Sequence, residues 1–452
     1  MQSISTIGNA TFIAYDDDIP VLSTDPWFGD EHPAYFGSWI LTHKIPQDIK
    51  KDILKSKYIW FSHGHPDHIN PETIKEFKHN KILLPDHYGS RIAKSLEEEN
   101  YNIEILPDRE WVNLTDKIRI KCITTYWQDG ILLLDVNGNL FVNLNDASTT
   151  SCTRYIRKEV SKYKNTYLLS ASGYGDADMI NFFDESGKFI VPSAKSNVLV
   201  GEQLSLYAKT IGTKSVIPFS SQHQYQRSDS IWAQEYATPE EAYKVGLYKD
   251  INFVDQYSYI DCNDNKSYKI KCETIKPNIK SPEAFGDSWS EELTKEDIVK
   301  IKDYFLKKER LHKFISFINL RVGKKDNLIK FNNNSKRGIT FEVPRNSLMT
   351  SIEFEIFDDL LIGNFMKTTL HSLSSLYDYD LCRIVAKYGD NGLCHSEKDL
   401  KMYFDNYRER AGWEFVYDLF LDKSKHIVMR FLGNNRKSFL FRSLKKVLYQ
   451  IK

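Results

Sequence analysis

The chain has 452 residues, 41% hydrophobic and 27% charged, and its 61 Lys and Arg balance its 61 Asp and Glu. That length exceeds one ordinary core and predicts two domains, at most three. Zero net charge argues against a nucleic-acid or polyphosphate partner, which usually needs a basic excess.

The opening text, "MQSISTIGNATFIAYDDD", lacks the basic-then-apolar order of a secretory signal. From Ile4 to about Asn252, short apolar runs alternate with polar turns. "TFIAYDD", "IPVLSTD", "YIWFSH", "KILLPD", "IRIKCITT", "ILLLDVNG", "LFVNLND", "TYLLSASG" and "SVIPFSS" all read as strands. Asn137-Gly138 between two of them suits a tight hairpin turn. "NPETIKEFKHN" and "DHYGSRIAKSLEEENY" read as helices, the first with Asn70 as N-cap and Pro71 at the first helical position. Strands and helices interleaved in this way predict a layered α/β architecture.

A composition shift near residue 280 opens a second region, so the expected division is 1–279 and 280–452. "TKEDIVKIKDYFLKKERLHKFISFI" reads as a charged amphipathic helix, with Thr294 and Asp297 as a variant capping box. "GITFEVPRNSLMTSIEFEIFDDLLIGNFM" reads as strands that pass into an apolar helix, and "KHIVMRFL" as another strand. The second region shows no ligand-like cluster and reads as a lid, an interface or a support. No stretch approaches the ~18 apolar residues that cross a bilayer. The six cysteines (Cys122, Cys152, Cys262, Cys272, Cys382 and Cys394) form no CxxC or CxH pair, which predicts reduced thiols in a cytoplasmic protein.

One segment stands apart. "FSHGHPDHIN", Phe61 to Asn70, holds three of the chain's 12 histidines and an aspartate. It lies where an apolar strand gives way to a loop. His63 and His65, two residues apart on extended backbone, can point the same way, and Asp67 and His68 follow the turn set by Pro66. One pair suits one metal ion and the next pair a neighbour.

This HxHxDH text resembles the metallo-β-lactamase superfamily. The resemblance implies a four-layer αββα sandwich with a dinuclear metal site at one edge, followed here by a C-terminal α+β domain. It further implies Asp25, in "VLSTDPW", as an acid orienting a ligand histidine. Asp146, in "LFVNLNDAS", matches the carboxylate that bridges the metals, and His223, in "SVIPFSSQHQY", matches the last histidine. The histidine that many members place before the bridging aspartate is absent from "ITTYWQDGILLLD"; the nearest donors are Gln128 and Asp129, and Asp129 is the expected ligand. The expected metal set is therefore His63, His65, Asp67, His68, Asp129, Asp146 and His223, with Asp67, Asp146 and His223 closest to the chemistry.

Four histidines and three carboxylates without a thiolate suit iron or manganese better than zinc. Within the superfamily, "STDPWF", "WQDGILLLDVNGNLFVNLND", "SASGYGDADMINFF" and "IPFSSQHQYQRSDSIW" are similar to the CMP-N-acetylneuraminate hydroxylase family of iron-dependent monooxygenases. That resemblance implies hydroxylation of a small molecule, a sugar nucleotide among the candidates. The family's Rieske cluster needs paired CxH and CxxH text. Neither occurs here, so electrons are expected from a separate ferredoxin or reductase. Hydrolysis by a metal-held hydroxide is the alternative the superfamily offers. Secondary readings are plainer: His87 as a local hydrogen-bonding residue, Tyr126, Trp127 and Tyr174 as packing aromatics, Asp176 as solvated, and Cys394-His395 as surface or helix-capping text.

Overall fold

Every residue of the strand Gly130–Val136 is buried, which requires cover on both faces. Its side chains alternate accordingly. Ile131 and Leu133 pack outward with Ile156 and Val160 of the helix Thr153–Val160 and with Leu204 and Ala208 of the helix Val200–Ile211. Leu132 and Leu134 point the other way, into a core shared with Phe12, Leu22, Trp60 and Leu83 of a second sheet. On that sheet the neighbours Ile13, Ile59 and Ile82 turn outward to Ile53 of the helix Gln47–Lys55 and to Ala93 and Leu96 of the helix Arg91–Glu98. Helix, sheet, sheet, helix: the period-2 alternation of the strands generates the αββα layers.

The structure is a computed structural model that describes residues 1–173, 179–192 and 199–421. Tyr174, Asp176 and the expected strand "KHIVMRFL" lie outside the described residues. The first sheet has eight strands in the order Lys266–Lys269, Ser258–Asp261, Ser3–Ile7, Thr11–Asp16, Ile19–Thr24, Tyr58–Trp60, Lys81–Pro85 and Ile103–Leu106. The second has seven, in the order Asn252–Phe253, Ser215–Phe219, Asn165–Ala171, Asn139–Asn145, Gly130–Val136, Ile118–Thr124 and Trp111–Asn113. All nine apolar runs read as strands in this half are strands. Asn137 (φ 50°) and Gly138 (φ 81°) both take the left-handed backbone that a primed hairpin turn needs.

Three local readings change. The helix expected over 294–318 ends at Leu306, and its last two residues open the strand Phe317–Val322. "NPETIKEFKHN" forms only a short 3₁₀ turn, Thr73–Phe77. The Asn70 side chain still caps it, accepting from the N–H groups of Glu72 and Thr73 at 3.0 and 3.1 Å. The inward pair Ile74 and Phe77 is spaced by three, which a 3₁₀ turn aligns. Residues after Gly338–Glu342, expected to continue as strand, instead form the helix Arg345–Glu353. Pro344 precedes it with φ −65°, and Leu348, Ser351 and Ile352 bury at helical spacing.

The later region builds a five-stranded sheet in the order Phe182–Asp184, Lys367–His371, Gly338–Glu342, Phe317–Val322 and Lys325–Lys330. The helix Lys295–Leu306 covers it, burying Ile301, Tyr304 and Phe305 behind the Thr294–Asp297 capping box. Two links tie this sheet to the sandwich. Phe182–Asp184 pairs in parallel with Lys367–His371, and Tyr126 is buried in the later region's core, with ring contacts to Phe404 and Phe415.

Candidate metal centre

The strands Ile19–Thr24 and Tyr58–Trp60 run parallel in one sheet, as do Asn139–Asn145, Asn165–Ala171 and Ser215–Phe219 in the other. Their carboxyl ends meet at one edge of the sandwich. Three non-glycine residues there take left-handed backbone: Asp25 (φ 39°), Asn145 (φ 47°) and Ser220 (φ 52°). Such strain persists where neighbours over-determine it and is common at functional sites. Here it re-aims the chain as each strand ends.

The ligand atoms of His63, His68 and Asp146 lie within 4.8 Å of one another. His63 Nε2 is 3.8 Å and His68 Nε2 3.6 Å from Asp146 Oδ2. Asp67 Oδ2 sits 3.5 Å from His68 Nε2. Each group is held from behind. Asp25 lies 3.3 Å from His68 Nδ1, accepts from Ser62 N–H at 2.7 Å and also accepts from the Asn145 amide. Asp67 accepts from Asn9 at 2.8 Å and from the Tyr35 hydroxyl at 2.5 Å. Ser220 donates to Asp146 Oδ1 at 2.6 Å, and the Ser62 hydroxyl lies 2.9 Å from His63 Nδ1.

His65 joins a second group. Its Nδ1 lies 2.8 Å from His63 Nε2, while its Nε2 reaches 3.1 Å from Asp358 Oδ2. Asp359 completes a trio whose ligand atoms again lie within 4.8 Å. Both aspartates come from the helix Phe357–Ile362, which corrects the expectation that the later region carries no ligand-like cluster. Nothing nearby in sequence marks them: "FDDLLI" reads as acids in the first turn of a helix, and their partner is nearly three hundred residues away.

Asp129 is buried at the same edge but belongs to neither trio; its Oδ1 accepts from Lys387 Nζ at 3.1 Å. His223 lies on the short strand His223–Tyr225, its ring stacked on Trp39 with centroids 3.4 Å apart. Both its ring nitrogens are buried without a hydrogen-bond partner. His87 stays outside the cluster, with Nε2 3.5 Å from the Ser62 carbonyl. The Arg383 guanidinium lies over the Trp127 ring, 4.5 Å from its centroid. Cys394 is buried, and His395 gives its N–H to Asp399 beside the N-cap of the helix Glu397–Ala411.

The electrostatics of the ligands divide: burial opposes charge on His68, but the negative charges of Asp67 and Asp25 hold it well above the usual imidazole range, so a bound cation displaces its proton. Burial, reinforced by His68 and His65, holds His63 well below the usual imidazole range, so it presents a lone pair at neutral pH. Burial likewise pushes His223 down to about 3, against the pull of Asp146. Burial opposes charge on Asp146, but the hydrogen bond and positive charge of His68 bring it down to about 2. Asp359 is raised well above the carboxylate range by burial, then by the negative charges of Asp358 and Asp67. Buried like charges crowded together and an imidazole with orphaned nitrogens suit bound cations better than an apolar plug. The donors are nitrogen and oxygen throughout, and that set fits a divalent metal ion. The supports Asn9, Tyr35, Ser220 and Lys387 escaped sequence reading because each is an ordinary polar residue until the fold aims it.

No family model matches the chain. It is similar to the cytidine monophosphate-N-acetylneuraminic acid hydroxylase of Danio rerio, 25% identical over 215 residues covering 43% of this chain and 34% of the relative. The chain spans between about a fifth and a third of the length of the curated relatives it matches. Among solved structures, Igni18, a metallo hydrolase of Ignicoccus hospitalis, aligns with TM-score 0.37 and 13% identity, over 60% of this chain and 99% of that one. CmlA, a diiron β-hydroxylase of Streptomyces venezuelae, aligns with TM-score 0.33 and 11% identity, over 60% of this chain and 54% of that one. The αββα layers, with the HGHPDH loop at the edge where the strand ends converge, are the metallo-β-lactamase fold anticipated from the sequence.

Proposed function

We propose that the chain is a dinuclear metalloenzyme that hydroxylates a small molecule of the sugar-nucleotide class, drawing electrons from a separate ferredoxin or reductase. The observation that carries this reading is the convergence of His63, His65, His68, Asp67 and Asp146 on one strand edge, with two ligand trios, buried except for Asp146, and no thiolate in either. His63, His65, His68, Asp67, Asp146 and His223 are the sandwich residues that would hold the two ions. Two iron ions, with manganese or zinc as alternatives, would supply the reduction of dioxygen by external electrons, placing one oxygen atom on the substrate and the other in water.

The chain's own residues do the rest. Burial keeps His63 and His223 unprotonated and therefore able to ligate. Asp25 fixes the His68 ring through Nδ1, leaving Nε2 directed at Asp67 and Asp146. Asn9 and Tyr35 lock both oxygens of Asp67. Asp146, about a third exposed where His63 and His68 are buried, is the side of the centre that faces solvent and an approaching substrate. The sugar-nucleotide assignment takes its support from the similarity to the hydroxylase of Danio rerio.

The test uses protein purified without added metal. Iron in the preparation, with oxygen uptake coupled to hydroxylation of CMP-N-acetylneuraminate under a supplied reductant, supports the reading. Zinc-loaded protein that cleaves a phosphodiester or lactone and consumes no oxygen overturns it in favour of hydrolysis.

A further inference from the structure

The edge of the sandwich holds more buried carboxylates than the side chains around it pair with. Asp358 and Asp359 are 6% and 5% exposed. Lys387 is committed to Asp129 at 3.1 Å, and Arg91, whose charge also reaches Asp359, donates to the Asn391 side chain at 2.9 Å. Asp358 has one donor side chain, His65. The Asp359 carboxylate has no hydrogen-bond or ion-pair partner among the described residues, yet lies within 4.8 Å of the ligand atoms of both His65 and Asp358. A buried carboxylate without a partner, facing a second carboxylate, costs several kcal/mol unless it takes up a proton or a cation sits between them. His65 is also shared: one ring nitrogen faces His63 and the other faces the aspartates.

We infer that one cation of the centre is held by His65, Asp358 and Asp359, so that the later region of the chain completes the metal site. The other cation lies among His63, His68 and Asp146. This rests on the dinuclear reading above and deepens it by moving the oxygen-rich end of the site from Asp129 to the helix Phe357–Ile362. Asp129 serves as the counter-ion that fixes Lys387. An N,O,O trio of one imidazole and two carboxylates suits a hard or borderline divalent ion such as Fe²⁺ or Mn²⁺.

The test counts metal in the full chain after Fe²⁺ loading and removal of excess. Wild type is expected to hold two ions, the double variant Asp358→Asn/Asp359→Asn one, and Asp129→Asn two. Two ions in the double variant, or one in Asp129→Asn, would overturn the assignment and return the position to Asp129. A wild type with no bound metal would instead remove the underlying dinuclear reading. The single change Asp359→Asn keeps shape and leaves no donor stranded, so it provides folded protein for a second readout. Its gain in Tm on Fe²⁺ addition should be clearly smaller than that of wild type, and an equal gain counts against the proposal.

Discussion

Two segments bring carboxylates to the same edge by different routes. The loop at Phe61–Asn70 concentrates its ligands in six residues at the end of one strand, so local spacing alone sets their geometry. The helix Phe357–Ile362 brings Asp358 and Asp359 to His65 across 293 residues, through a separate sheet and a separate core. The first is rigid because the sandwich core beneath it is sealed on both faces. The second depends on how the later region docks. That docking rests on Tyr126 in the later region's core, on the parallel pairing of Phe182–Asp184, and on the ion pair Arg410–Asp86 at 3.1 Å. A metal centre spanning both halves would bind its ions only when the two are correctly seated, and would stabilise that seating in return.

The largest expected effect comes from the local segment. His63→Ala should abolish turnover and remove the ion shared with His68 and Asp146; unchanged metal content and rate would break the assignment of this edge. On the other side, Lys308→Met leaves Asp390 buried without its cation and should cost about 3–5 kcal/mol, read by denaturant unfolding. If the halves are coupled through metal, that variant also loses its Fe²⁺-dependent gain in stability. Asp25→Asn should keep the fold and weaken metal affinity roughly 10- to 100-fold, since it orients His68 without ligating.

A smaller effect concerns pH. Burial pushes His87 down to about 3, from an unfolded value near 6.5. The unfolded chain therefore takes up a proton that the folded chain refuses. Its contribution to stability is complete above about pH 6.5 and falls by roughly 1.4 kcal/mol per pH unit as pH drops from there towards about 3. His87→Leu should flatten that slope in chelator-treated protein, and an unchanged slope would assign the acid sensitivity elsewhere. Smallest is Thr294→Ala, which removes a capping box far from the centre and should cost about 1 kcal/mol without altering metal content.

The contrast also explains what the sequence made legible. The αββα layers were readable because strands buried on both faces write continuous apolar runs, and HGHPDH because its ligands sit side by side. Asn70 and Thr294 were readable as caps because capping is local. Residues 345–353 misled because "RNSLMTSIE" carries few strong helix markers apart from Pro344. Asp129 is an expected ligand because it stands where the resemblance leaves a histidine missing, and its bond from Lys387 at 3.1 Å is a contact that no local text announces. Asp358 and Asp359 carried no signal, since a pair of acids opening a helix is ordinary text. A ligand supplied from a distant core becomes visible only with the tertiary arrangement.

The most direct test of the central claim is the metal content per chain of freshly purified protein, measured for wild type and for His63→Ala in parallel. The account predicts about two ions per wild-type chain and at least one fewer in the variant, with both proteins folded. Wild-type protein free of metal after loading, or a variant that retains the full complement, would contradict it.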